Sequence, residues 1–463
     1  MAVTAARFRP PAPTPRDKPL STLALLGALA RDPLLIWHRV HYELPVVAAD
    51  TAIGPTAVVS DPDGIRRVLV DNFANYRKDD VQRSMLGANR DGGVGLLLAE
   101  GDAWRRQRRA LAGLFAPRAV AAFAPAMAAA AATTADAWTR RRAGRTVEIG
   151  HDMALFTLDV LERTILSDGL ADAPGRFADE MTRFFKVYGR ADPADLLGLP
   201  KWAPRLTRLG GGGSLQFFEG AISRILERRR ARPISEWPRD LLTMLIEARD
   251  PESGEGLSEP DIRANVMTFV AAGHETTANA LTWTLYLLSQ DDEARERAES
   301  EVDALGEEDL RDPAKLATLH WTRACLDEAM RLYPPAATLS RQAIGPDEVA
   351  GVRIRPGARV LVSPWLVHRH KLNWRDPDLF DPSRFLPENR DSIPRFAYLP
   401  FGAGPRVCIG MGFAIQEAMI ALATWLRGFR FELAPGHSVM PRQRLTLRPA
   451  GGMPMVIKSR RDS

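Results

Sequence analysis

The sequence predicts a mainly α-helical α+β fold, on three observations. Ala, Leu, Arg and Glu recur at helical period from Leu20 to about Ser340. Pro, Gly and β-branched residues take over across 341–407, and one more helical pattern follows near the C-terminus. Hydrophobic residues fill 45% and charged residues 26% of the 463 positions, the balance of a globular chain with a large apolar core. The net charge is +5, but basic residues are scattered among acidic ones and form no block with interleaved aromatics. Nucleic-acid binding is therefore not expected, whereas an acidic partner surface is. The two cysteines, Cys325 and Cys408, have neither zinc-site nor redox-pair spacing, which fits a reducing, cytoplasmic setting.

Residues 1–19 carry prolines at 10, 11, 13, 15 and 19 and predict an extended, poorly ordered arm. The apolar run Leu20 to Leu29 is about half of the roughly 20 residues that span a bilayer and is followed by Arg31 and Asp32, so no transmembrane anchor is expected. In Gly101-Asp-Ala-Trp-Arg-Arg-Gln-Arg-Arg109, Trp104 and Arg108 sit four apart on a predicted helix. The alanine run from Ala119 to Ala135 is punctuated by Phe123, Met127 and Trp138, which predicts a packed helix. Gly210 to Gly213 predict a mobile loop within a lid that includes the preceding DLLGLPKWAPRLTRL.

An apolar helix starts around Ser258, whose spacing to Asp261 predicts a cap. Ala271-Ala-Gly-His-Glu-Thr-Thr277 interrupts it. Small residues at 271 to 273 make room on one face, and a glycine followed by paired threonines can open the hydrogen-bond ladder. An acid and an alcohol beside such a gap can deliver protons. A helix beginning near Leu319 carries Glu328 and Arg331, three apart and able to pair. His368 and His370 are predicted on one face of a strand, with no third ligand near enough to make a metal site. The last helix is predicted from near Gly410 to Leu426, followed by a strand pair around Phe429 to Leu433 and Arg444 to Leu447.

The strongest local signal is Phe401-Gly-Ala-Gly-Pro-Arg-Val-Cys-Ile-Gly410, a lone cysteine in a Gly/Pro-bounded loop leading into a helix. The glycines let the backbone fold closely around a bulky flat cofactor, and Pro405 stiffens the turn. Backbone N–H groups and the positive end of the helix dipole favour a thiolate at Cys408. Such a thiolate can ligate haem iron and favour O–O cleavage. This loop closely resembles the haem-binding loop of the cytochrome P-450 superfamily. So does the Asp327-Glu-Ala-Met-Arg-Leu-Tyr-Pro-Pro335 helix with the later Asp381-Pro-Ser-Arg-Phe385.

The resemblance covers nearly the whole chain. It implies one domain over 20–463 with the triangular-prism fold, a small β-rich region, and haem b between distal and proximal helices. It also implies that Cys408 is the axial iron ligand and that Thr276, with Glu275 as neighbouring acid, works on the dioxygen. Trp104, Arg108, Arg341 and Arg406 are expected at the propionates. Phe401, Ala272, Gly273 and Gly410 are expected to border the cofactor, and Glu328, Arg331 and Arg384 to form a buried scaffold triad. His274 is expected to be a packed or a surface histidine rather than a reacting one. The implied reaction is monooxygenation of an apolar substrate, with a weak lean toward fatty-acid or carotenoid/terpenoid compounds. The distal lining is expected from Val94 to Leu98, Phe269 to Ala272 and Ala336 to Leu339. Electrons are expected from a ferredoxin, or a flavodoxin, with its NAD(P)H reductase, and Arg105, Arg106 and Arg109 are candidates to meet it. A peroxide-driven peroxygenase and a non-catalytic haem sensor remain alternative readings of the same loop.

Overall fold

The computed structural model describes residues 8–460 apart from 52, 87–91, 142–144, 168, 170–173, 191, 201 and 209–211. The longer helices are α1 Thr22–Arg31, α2 Gly101–Ala112, α3 Ala124–Arg140, α4 Ile149–Thr164, α5 Pro174–Tyr188, α6 Gly212–Arg230, α7 Glu259–Gln290, α8 Asp292–Asp303, α9 His320–Leu332 and α10 Met411–Gly428. The Ser258 hydroxyl caps α7 by accepting from the Asp261 N–H. Further along, Leu281, Trp283, Leu285 and Leu287 are wholly buried. A helix apolar on every face belongs in the core, and α7 lies against α4, α9 and α10.

By length and apolarity Pro117–Arg140 could cross a membrane. Its contacts are those of a core helix instead. The Trp425 indole donates to the Ala131 carbonyl at 3.0 Å and the Trp138 indole to the Asp152 carboxylate at 2.7 Å.

The strands are short and include β1 Val46–Thr51, β2 Gly54–Val59, β3 Tyr76–Arg77, β4 Thr146–Glu148, β5 Leu339–Ala343, β6 Arg359–Val362, β7 Phe429–Leu433, β8 Pro441–Gln443, β9 Leu447–Pro449 and β10 Pro454–Ser459, with Asp347–Val349 and Val352–Ile354 pairing as a separate hairpin. One sheet runs β1-β2-β6-β5-β3, another β4-β10-β7, and β8 and β9 form a hairpin. The parallel pair β2 and β6 sets Ala57 opposite Val360. The C-terminal pairing departs from expectation: β7 pairs with β10, Phe431 opposite Ile457, while Arg444 lies in the β8–β9 turn. Several short alternating segments compete there, and alternation alone does not select a partner.

Residues 8–19 of the N-terminal arm lie against the body. Phe380 N–H donates to the Phe8 carbonyl at 3.0 Å, Tyr333 hydroxyl to the Pro11 carbonyl at 2.8 Å, and Arg16 N–H to the Trp37 carbonyl at 3.1 Å. Prolines remove donors but keep their carbonyls, and it is mainly carbonyls that the body engages. Of the predicted glycine loop, Gly210 and Gly211 lie outside the described residues, and Gly212 and Gly213 begin α6.

Candidate active site

The cysteine loop closes on itself before it meets anything else. Gly402 N–H donates to the Leu399 carbonyl at 3.1 Å, Val407 N–H to Gly404 at 3.0 Å, and Cys408 N–H to Phe401 at 3.0 Å. Gly404 has φ +72°, and a Cβ there would come within 1.9 Å of the Leu69 carbonyl oxygen. Only glycine lets the loop dock on the π-helical turn Arg67–Asp71. The close approach that glycine permits here is therefore to the protein's own backbone.

The two cysteines differ sharply. Cys325 is fully buried in α9, and burial, reinforced by Glu301, Asp291 and Glu328, pushes its thiol well up. Cys408 is accessible, yet burial raises its pKa as well, opposed by the Gly410 N–H and the Arg108 charge. Accessible surface combined with strong desolvation places this sulfur on an interior cleft. The helix start does not by itself make a thiolate, but metal coordination deprotonates a thiol outright.

A buried network holds the loop from behind. Arg331 and Glu328 pair through two contacts of 2.5 and 2.7 Å, with Arg384 Nε 3.7 Å from the same carboxylate. Arg331 also donates to the carbonyls of His368, Pro377 and Leu379 at 2.7–2.9 Å. His368 and His370 are not on a strand; they follow the short helix Pro364–Val367. His368 Nε2 accepts the Leu399 N–H at 2.7 Å, so Nδ1 carries the proton toward the Arg331 carbonyl at 3.2 Å. Its burial lowers the pKa to about 3 and keeps the ring neutral. His370 Nε2 donates to the Leu44 carbonyl at 3.0 Å. Both rings are structural, and the described residues contain no metal-holding cluster.

Beside the loop stands a group of cations. The Arg406 guanidinium lies over the Trp104 ring at 4.5 Å and pairs with Glu100 at 2.6 Å. Arg341 is buried, its pKa lowered to about 10 by desolvation and then by Arg406. Lys78 is pushed down to about 7 by burial and then by Arg341 and Arg406. One buried and two part-buried cations stand together, with Glu100 and Asp79 the carboxylates that offset them among the described residues, so the cluster is built for further negative charge. Trp104 and Arg108 part company here: Trp104 stacks with Arg406, while Arg108 acts on Cys408. Arg105, Arg106 and Arg109 are already paired with Asp102 at 2.7 Å, Glu255 at 2.9 Å and Asp250 at 2.7 Å. They do not present bare charge.

On the other wall, α7 stays helical straight through 271–277. The Thr276 hydroxyl donates to the Ala272 carbonyl at 2.7 Å, closing on its own helix instead of opening the ladder. Ala272 is exposed, whereas the room at Gly273 is taken by Leu161, 3.1 Å from where a Cβ would stand. His274 is buried, 3.0 Å from the Thr157 hydroxyl, and desolvation lowers its pKa to about 4. Glu275 is 3.0 Å from Arg448 and also engages the Thr446 hydroxyl; burial raises its pKa against both. Residues 93–98 are strapped to this helix: Leu96 N–H donates to Asn265 at 2.8 Å, and a Cβ on Gly95 would meet the Thr268 hydroxyl at 2.2 Å. Phe115 spans the two walls, 5.3 Å from the Phe269 ring and 3.9 Å from a Cβ on Gly410.

The family model described as Cytochrome P450 matches residues 30–454. The chain belongs to the cytochrome P450 family. It is 33% identical over 424 residues to a putative cytochrome P450 132 of Mycobacterium tuberculosis, with 87% of each chain covered. It is 31% identical to cyclooctatin synthase of Streptomyces melanosporofaciens, covering 96% of this chain and 95% of that one. The crystal structure of the cytochrome P450DA heme domain superposes with a TM-score of 0.82 at 25% identity, covering 97% and 98% of the two chains.

This P450 is thus a haem b monooxygenase, and its residues fit the cofactor. An accessible thiol and an under-compensated cation cluster are the groups that an iron macrocycle with two carboxylates would require. Sequence reasoning passed over Lys78, Glu100 and Arg448. Lys78 sits among unremarkable charges, and Arg448 lies 173 positions from the acid it pairs with, so neither carried a local signal.

Proposed function

We propose that this P450 inserts one oxygen atom from dioxygen into an apolar substrate, by hydroxylation or epoxidation. The observation that carries the reading is the contrast between Cys408, accessible and faced by Arg108 and the Gly410 N–H, and Cys325, sealed among carboxylates. Haem bound through Cys408 supplies dioxygen activation. Lys78, Arg341, Arg406 and Trp104 would hold the propionates. Thr276 and Glu275 would pass protons on the distal side, with Glu275 leaving Arg448 to do so. Glu328, Arg331, Arg384 and His368 would keep the loop rigid.

The apolar class is supported by Val94 and Leu97, which stay open on the strap beside α7. Electrons would come from a ferredoxin or a flavodoxin with an NAD(P)H reductase, in the cytoplasm. The test is turnover of the holoprotein with ferredoxin, reductase and NADPH under isotopically labelled dioxygen. The reading requires labelled product. Product formed with hydrogen peroxide but never with the electron-transfer chain would replace it by a peroxygenase.

A further inference from the structure

A second group of cations surrounds the β8–β9 hairpin, and the cysteine side of the molecule does not use it. The hairpin is stitched into the distal wall. Leu447 N–H donates to the Pro335 carbonyl at 2.9 Å, Gln443 to the Thr338 hydroxyl at 3.2 Å, and Asn279 to the Thr446 hydroxyl at 3.3 Å. The end of α5 packs on its tip, since a Cβ on Gly189 would lie 3.4 Å from the Leu445 Cβ. Arg190 follows directly. The Arg444 guanidinium is desolvated and feels the like charges of Arg190, Arg442 and Arg448.

The carboxylates facing this group are few. Asp32 is already bonded to the N–H groups of Leu34 and Gln443, both at 3.1 Å. Glu275 meets Arg448 at 3.0 Å without hydrogen-bond alignment. Arg190 Nε, Arg448 Nε and Arg448 Nη2 are all buried with no hydrogen-bond partner among the described residues. Buried guanidinium nitrogens without an acceptor are unfavourable, and a second carboxylate supplies what they lack. Arg444 donates to the carbonyls of Ala30 and Arg31, which holds its charge at the rim of this group.

We infer that the substrate carries a carboxylate on its apolar body and that Arg190 and Arg448, with Arg444 behind them, bind it. This rests on the monooxygenase reading and narrows its substrate class. The carboxylate end anchors at the hairpin while the apolar body lies along Val94, Leu97 and Ala272.

The experiment titrates the holoprotein with myristic and abietic acids and with the methyl ester and alcohol of each, reading the Soret spin-state shift and the heat of binding. At least one acid should bind about tenfold or more tightly than its ester, and Arg190→Gln should remove most of that preference. Arg448→Gln should act in the same direction. Esters that bind as tightly as acids, failure of every acid to bind, or an Arg190→Gln variant with its preference intact would each overturn the inference. The acid-against-ester comparison in the unaltered protein decides even if a variant does not fold. A reduced carbon-monoxide spectrum without the thiolate band would instead count against haem-thiolate chemistry, and so separates the two failures.

Discussion

Glu275 and Arg448 lie 3.0 Å apart, so the acid of the distal helix is tethered to the β8–β9 hairpin. Burial raises the Glu275 pKa, and a carboxyl shifted upward is least costly to the fold when protonated. Below the unfolded value of 4.5 the pair adds little; as pH rises through the raised folded value, the buried charge appears and Arg448 offsets it. We expect Arg448→Gln to cost about 1–3 kcal/mol at neutral pH and much less at about pH 4. Thermal unfolding of variant and parent across that range reads the difference, and an equal deficit at both ends would contradict it.

Thr276 donates to the Ala272 carbonyl at 2.7 Å; its oxygen can still accept from the cleft, but it can donate its proton there only by leaving that bond. Thr276→Ala is expected to lower product formed per NADPH consumed by about 10-fold or more, with the missing electrons recovered as peroxide. Glu275→Gln should slow NADPH use itself. Unchanged coupling in Thr276→Ala would rule out the proposed distal role.

Cys408 and Cys325 separate function from packing. Cys408→His should abolish the long-wavelength Soret band of the reduced carbon-monoxide complex. Cys325→Ala should retain the band and cost about 1–2 kcal/mol of stability, because it empties a fully buried position.

His368 joins the Arg331 carbonyl to the Leu399 N–H, and so ties the scaffold helix to the cysteine loop. Removing the ring leaves a buried donor and acceptor unmet. His368→Ala should cost about 2–4 kcal/mol and speed haem loss to a scavenging apoprotein. Its folded pKa of about 3 lies below the unfolded 6.5. The neutral ring's contribution is therefore complete above pH 6.5 and is lost as pH falls toward 3, a slope that the variant should lack.

Much of the site could be read from residues near one another in the chain. The Ser258 cap and the Glu328–Arg331 contact are set by helical spacing, and the loop around Cys408 by glycine and proline conformations. Helix periodicity likewise placed α7, α9 and α10, whose observed starts fall close to the expected ones. Other features gave no such signal. The glycine–threonine pattern allowed an opened ladder at 271–277, but α7, packed densely against α4, runs through it as continuous helix. The arginines of α2 gave no local sign that Glu255 and Asp250 would come in from elsewhere in the chain to pair with them.

By itself the sequence determined the helical class and the family to which the chain belongs. These rest on local geometry and on residue types that tolerate few alternatives. Only the tertiary structure decided which charges neutralise one another. It paired Glu275 with Arg448, clasped Leu399 to Arg331 through His368, and gathered Lys78, Arg341 and Arg406 with too little negative charge to balance them. Electrostatic partnership depends on distance in space and on desolvation, and neither is written in spacing along the chain.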